Sequence, residues 1–358
     1  MKSRLVSQAI GMYTLALLMA SAGCTVDDND EDTPSGYSQG VFILNEGPFS
    51  SGTGTVSFYS LLTGNVVQDV FRKANNRPLG NIAQSLTIFK DRIFIAVNNA
   101  GRVEVVSLSD FTSIKTIEGL SLPASVLVVD STKAYVSCWD AGVVVISLDD
   151  YAVIGQVVTG NGPEKMLLHG DKVFVCNQGG MGIDSTVTVI STSTDQVTAT
   201  LQVYPKPTGI CLDKNDKLWV LCSGRGWNGI SYPDDSEGHL VCINPDNLQI
   251  EKDVAFGSTS EHPEKLVVNA AGDELFYLFP GGICRFHVDS ASIANTPFIA
   301  HAAAFYAVGY DPAEQLLYAT DPLNFQQDGW VIRYDAILAT PVDSFQAGII
   351  PRDFGFVE

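Results

Sequence analysis

The side chains able to do chemistry in this 358-residue chain fall into two recurring places. One set directly follows short β-branched runs. It comprises Asn45-Glu46-Gly47-Pro48-Phe49, Asn98-Asn99-Ala100, Trp139-Asp140-Ala141, Asn177-Gln178-Gly179-Gly180-Met181, the longer stretch from Ser223 through Trp227 to Tyr232, Phe279-Pro280-Gly281, and the stretch from Asp321 through Phe325 to Asp328. The other set opens apolar runs: Gln84, Glu164, Thr208, Glu264, Tyr306 and Arg352. Aromatic rings beside amides and charges grip an amphipathic ligand by stacking and hydrogen bonding. The candidate ligand-binding residues are Asn99, Asp140, Gln178, Arg225 and Arg352 as polar partners, with Trp139, Trp227, Tyr232, Tyr306 and Phe325 covering apolar edges. Each also has a plainer use. Trp139 can seal two neighbouring units, and Asn and Asp can hold turns through bonds to the backbone.

Other chemistries find little support. The chain has no His-Glu-x-x-His motif, no phosphate-binding glycine loop and no Gly-x-Ser-x-Gly elbow. Its five histidines form no loop cluster. Glu164-Lys165 and Glu264-Lys265 occupy matching repeat positions, so repetition explains them more simply than acid–base pairing. A formal net charge of −19 argues against nucleic acid, whose phosphates need clustered cations. The expectation is a binding protein without catalytic residues, metal or cofactor. Cys138, Cys176 and Cys222 recur at one place in successive repeats, within apolar runs, and read as small buried hydrophobes rather than bridge partners.

Loops of this kind need a rigid scaffold, and the sequence repeats one. Units open at Ala83, Pro123, Pro163, Pro207, Pro263, Phe305 and Pro351, roughly 40 to 56 residues apart. Within a unit, four short β-branched segments are separated by Gly, Asp, Asn or Pro, the pattern of strands and tight turns. Arg92-Ile93-Phe94-Ile95-Ala96-Val97 and Thr186-Val187-Thr188-Val189-Ile190 are typical. Four-stranded units at this spacing are blades of a β-propeller. The last unit, Ile350 to Val357, supplies only a first strand, whereas the start of the domain supplies the other three: Gly40–Leu44, Gly54–Tyr59 and Asn65–Phe71. Joining them predicts an all-β, seven-bladed ring whose last blade is closed by N- and C-terminal strands, leaving no free edge. In that topology the two sets of chemical side chains share one face, and turns such as Gly170-Asp171-Lys172 lie on the other.

The chain's beginning predicts its destination. Lys2 and Arg4 precede an apolar run from Ile10 to Ala20 and the sequence Ser21-Ala22-Gly23-Cys24, which together read as an export signal over residues 1–23. Cys24 is expected to become the lipid-modified first residue, although Ser21 stands where such signals usually carry Leu or Val. Residues 24–36 are acidic and lack apolar anchors, as in a hydrated tether. The propeller would fill residues 37–358.

The segment Ile43-Leu44-Asn45-Glu46-Gly47-Pro48-Phe49, followed by Gly54-Thr55-Val56-Ser57-Phe58-Tyr59, resembles the opening of a Bacteroidota surface lipoprotein family with YncE-like seven-bladed propellers. The likeness runs from Tyr37 to Val357, and the acidic patch after Cys24 resembles that group's surface-export signal. It implies a lipid-anchored protein of the outer membrane, facing outward. Some members capture cobalamin or a related corrinoid and pass it to a TonB-dependent outer-membrane transporter, so the resemblance implies both ligand and partner. Alternatives are a glycan- or protein-binding surface propeller and a metal-dependent lactonase. The lactonase family gathers Glu, Asn and Asp oxygens at its channel, which Glu46, Asn99, Asn177 and Asp321 could imitate.

Overall fold

The computed structural model describes residues 36–49, 52–226, 232–294 and 296–357. Residues 1–35, which contain the expected signal, Cys24 and nearly all of the tether, lie outside the described residues, as does Trp227. No helix among the described residues is long and apolar enough to cross a membrane.

Seven antiparallel four-stranded sheets make the domain. Blade 1 is Ala83–Phe89, Arg92–Val97, Arg102–Ser107 and Ser113–Glu118. Blades 2 to 6 occupy residues 123–157, 163–202, 207–255, 264–300 and 307–349. Blade 7 is composite: the C-terminal strand Pro351–Val357 pairs with Gly40–Asn45, Gly40–Asn45 with Thr55–Ser60, and Thr55–Ser60 with Val66–Val67. The register runs from Gly40 opposite Val357 to Asn45 opposite Pro351. The predicted ring and its closure are the observed ones.

Strand periodicity explains the packing. In Arg92–Val97 the odd side chains Ile93, Ile95 and Val97 enter the apolar cluster shared with blade 7, while Phe94 and Ala96 enter the one shared with blade 2. Both faces of this middle strand are therefore buried beyond Arg92, and its sequence is apolar from Ile93 to Val97. Seven such clusters occupy the seven junctions between neighbouring blades. The six described cysteines are unbridged and lie inside these clusters or the strands beside them.

One element departs from the expectation. Asn65–Phe71 was expected to be a whole strand, but only Val66–Val67 pairs, and a short helix, Val70–Asn75, follows. Asp69 ends the strand in a left-handed conformation and accepts a hydrogen bond from the Arg72 N–H, capping the helix. The helix buries Val70 and Phe71 in the junction of blades 7 and 1. Burial of these two side chains in the junction outweighs their own β-propensity.

Two repeated backbone devices fix the mouth of the channel. In six of the seven blades the innermost strand pair shifts register next to its opening residue. A bulge of this kind leaves a residue unpaired and re-aims its side chain. The skipped positions include Gln84, Glu164, Thr208, Lys265 and Arg352. The second device lies one step earlier. Ile82, Leu122, Gly162, Lys206 and Ile350 all have positive φ, between 50° and 58°. For β-branched Ile82 and Ile350 this backbone is strained. Their carbonyls accept the N–H of Asn98, Trp139, Gln178, Ser223 and Glu46 respectively, at 2.8 to 3.1 Å. Each bond holds the first residue beyond a middle strand against the channel.

Candidate functional site

The bulge residues and the clamped residues form two tiers around the axis. All of those named but Ser223, which is buried, line a funnel of about 410 Å³. Gln84, Glu164, Thr208, Lys265 and Arg352 make its neck and also line the narrower channel of about 200 Å³ beneath. Glu46, Asn98, Trp139 and Gln178 form the tier above, with Tyr306, Glu264 and Asn99 beside them. Phe49 and Met181, 77% and 92% exposed, stand at the rim. Phe325 packs edge-on against Tyr306, ring centroids 5.7 Å apart.

The charges are tightly organised. Arg352 Nη1 donates to Glu46 Oε2 at 2.6 Å and to the Tyr306 hydroxyl at 3.0 Å, while Nε donates to the Gln84 carbonyl at 3.0 Å. Tyr306 also donates to Glu46 Oε2 at 2.6 Å. Gln178 Nε2 donates to Glu164, whose other oxygen lies 3.7 Å from Arg352. Burial alone would lower the Arg352 pKa, but Tyr306, Glu46 and Glu164 hold it above the usual arginine range. Burial raises the Tyr306 phenol above its normal value. Lys265 is pushed down to about 8, first by burial and then by the charge of Arg352, against the pull of Glu264 and Glu164. Its ammonium stands 5.8 Å from the centre of the Tyr306 ring.

Of the residues singled out from sequence, Asn99, Trp139, Gln178, Tyr306 and Arg352 line the funnel, and Phe325 supports Tyr306. Asp140 faces an adjoining groove instead. Arg225 is exposed, its guanidinium 3.7 Å from Asp234, and does not line the funnel. Tyr232 is also exposed and outside it; its backbone N–H bonds Asp235. Sequence reasoning missed Lys265. Aligned openings pointed to Glu264, and only the bulge brings the next residue to the neck. Asn98, Phe49 and Met181 were visible as parts of loops, but nothing in the sequence ranked them above their neighbours.

The four oxygen-bearing residues of the lactonase reading do not line one cavity. Glu46 and Asn99 belong to the funnel. Asn177 is fully buried, donating to Thr186 and Thr188, and Asp321 lies 3.5 Å from His301 Nε2. Among the described residues no group of three or more His, Cys, Asp or Glu is arranged to hold a metal ion. A larger cavity, about 910 Å³, opens on the opposite face among Leu61, Leu62, Leu86, Ile88, Phe354 and Phe356. It has none of the bulge or clamp side chains of the funnel.

A closed seven-bladed propeller with a polar funnel and an apolar rim is a fold consistent with general ligand binding. The chain belongs to the family described as "Domain of unknown function (DUF5074)", whose model matches residues 39–348. No curated protein matches it. Among solved structures it is similar to Kuenenia stuttgartiensis hydrazine synthase, with TM-score 0.63 and 13% identity over 76% of this chain and 88% of that one. It is also similar to a quinonprotein alcohol dehydrogenase-like protein of Bacteroides thetaiotaomicron, with TM-score 0.67 and 14% identity over 90% of this chain and 79% of that one. Likeness at this identity concerns the fold alone.

Proposed function

We propose that the protein is a non-catalytic surface lipoprotein that captures cobalamin or a related corrinoid at the funnel and delivers it to a TonB-dependent outer-membrane transporter. The observation that carries the binding part is the two-tier funnel, where hydrogen-bonding groups ring the axis and exposed Phe49 and Met181, with half-buried Trp139, surround them. A broad, amide-fringed ligand needs this combination of a polar centre and an apolar perimeter. The choice of a corrinoid, the transporter and the outer membrane rests on the family resemblance of the sequence.

The geometry of the chain ends supports anchoring through Cys24. Gly40–Asn45 starts beside Val357, on the face opposite the funnel, and Tyr37 bonds Ser109 in an outer turn of that same face.

Calorimetric titration of the protein lacking residues 1–36 with cyanocobalamin tests the reading, run beside a glycan panel and a Ca²⁺-dependent lactonase assay. One corrinoid per chain, without turnover, is the expected result. A folded sample giving no corrinoid heat at micromolar concentration removes the vitamin reading. Replacing Cys24 by Ser should abolish membrane fractionation and leave the fold intact. A wild-type chain that incorporates no labelled lipid overturns the anchor.

A further inference from the structure

Beyond the partition formed by Trp139 and Met181, the funnel adjoins a second groove of about 560 Å³. The groove lies over the junction of blades 2 and 3. Its walls are the turn 139–142, the link 158–162 and the loop 179–183. Glycine makes it possible. A Cβ on Gly162 would lie 1.8 Å from the Gly180 nitrogen, and one on Gly160 would lie 2.6 Å from Thr186 Oγ1. The two loops therefore touch through peptide groups.

The side chains that remain combine apolar Ala141, Val158, Met181 and Ile183 with hydrogen-bonding groups, and none is cationic. Asp140, Gln156, Thr159 and Asn161 line the groove, and no Lys or Arg does. Trp139 adds its ring at the partition, and its indole N–H is buried without a hydrogen-bond partner. An orphaned buried donor is costly and invites an acceptor or a shift of the ring. The funnel itself, at about 410 Å³, is near the small end of ligand sites. A ligand as broad as a corrinoid overflows it, and this groove is the space next door.

We infer that the groove is a second compartment of the same binding site, taking a neutral hydroxyl- or amide-bearing arm of the ligand whose centre occupies the funnel. This rests on the capture reading above. An anionic arm is disfavoured because Asp140 has no cation to balance it within the groove.

Gly182→Leu provides the plug. Its φ is not positive, and its Cβ would meet only the Gly179 carbonyl oxygen at 3.6 Å, an ordinary contact. Asp140→Leu removes the groove's carboxylate independently. Cyanocobalamin and maltoheptaose are titrated separately into wild type and both variants. Affinity is read by calorimetry, and the Trp139 indole resonance, assigned with Trp139→Phe, by NMR. The expected result is a shift of that resonance, with affinity at least tenfold weaker in both variants at unchanged melting temperature. If only maltoheptaose behaves this way, the groove stands and the corrinoid reading falls. If cyanocobalamin binds wild type and both variants equally, the groove proposal falls and capture at the funnel stands. If neither probe moves the Trp139 resonance in wild type, the groove proposal is overturned.

Discussion

Arg352 and Glu46 meet across the seam that closes the ring: Nη1 of one lies 2.6 Å from Oε2 of the other. Arg352 lies on the last strand, and Glu46 directly follows the first. One ion pair thus belongs both to the closure of the fold and to the wall of the funnel. Both side chains are nearly buried, 13% and 12% exposed. Removing one partner of such a pair is costly because it strands the other, whereas removing both is not. Arg352→Met is expected to lower stability by about 3 kcal/mol, and adding Glu46→Leu to restore most of that loss. Urea denaturation of the two variants checks it; equal losses would show that the pair is not coupled.

Deleting residues 351–358 removes the inner strand of blade 7. It exposes an edge of Gly40–Asn45 and leaves blades 1 and 6 without their inner neighbour. The truncated chain is expected to aggregate or to unfold without cooperativity, since the loss rivals a typical stability margin of about 5–15 kcal/mol. Light scattering and thermal melting measure this. A truncated monomer that melts like wild type contradicts the role of the closing strand.

Lys265 gives a pH signature. Its pKa falls from 10.5 to about 8 in the folded protein, with burial as the main cause. Between about pH 8 and 10.5 the unfolded chain therefore binds more protons at this residue than the folded chain, so its contribution to stability rises with pH across that window. Below pH 8 the cost of the buried charge is present in full. Lys265→Met is expected to gain stability relative to wild type at pH 7, with the gap narrowing towards pH 10.5. Denaturation at several pH values reads the gap, and a constant difference would contradict it.

The rim separates binding from folding. Phe49 and Met181 are 77% and 92% exposed, so truncation to Ala should leave the melting temperature unchanged. If they cover a ligand, each truncation should weaken cyanocobalamin binding by about 1–2 kcal/mol. Lys172, whose ammonium bonds the Pro245 carbonyl at 3.1 Å on the other face, is the control, and Lys172→Ala should leave affinity unchanged.

The architecture was legible because its signals are local and repeated. Runs such as Arg92–Val97 must be buried on both faces, and the lone strand at Pro351 matches the one missing near Gly40. The site was only half legible. Gln178 and Trp139 follow middle strands directly, so their direction comes from the repeat. Lys265 depends on a bulge one residue away from where its aligned counterpart Lys165 suggests, and register shifts leave no mark in composition. The helix Val70–Asn75 was hidden for a similar reason: Val-Val begins as a strand, and a single capping Asp redirects the chain.

The first strand also has a mechanical meaning. A pull on the backbone at Gly40 runs along a strand held on both sides, by six residue pairs to Thr55–Ser60 and six to Pro351–Val357. Such a load shears two ladders together instead of peeling one from its end. The resistance is set by how fast those ladders rupture rather than by equilibrium stability. A ring sewn shut with its outermost sequences would be weak if pulled from an edge strand. Here the loaded strand is an interior one, so tension reaching the domain from its N-terminal side meets one of its stiffest parts.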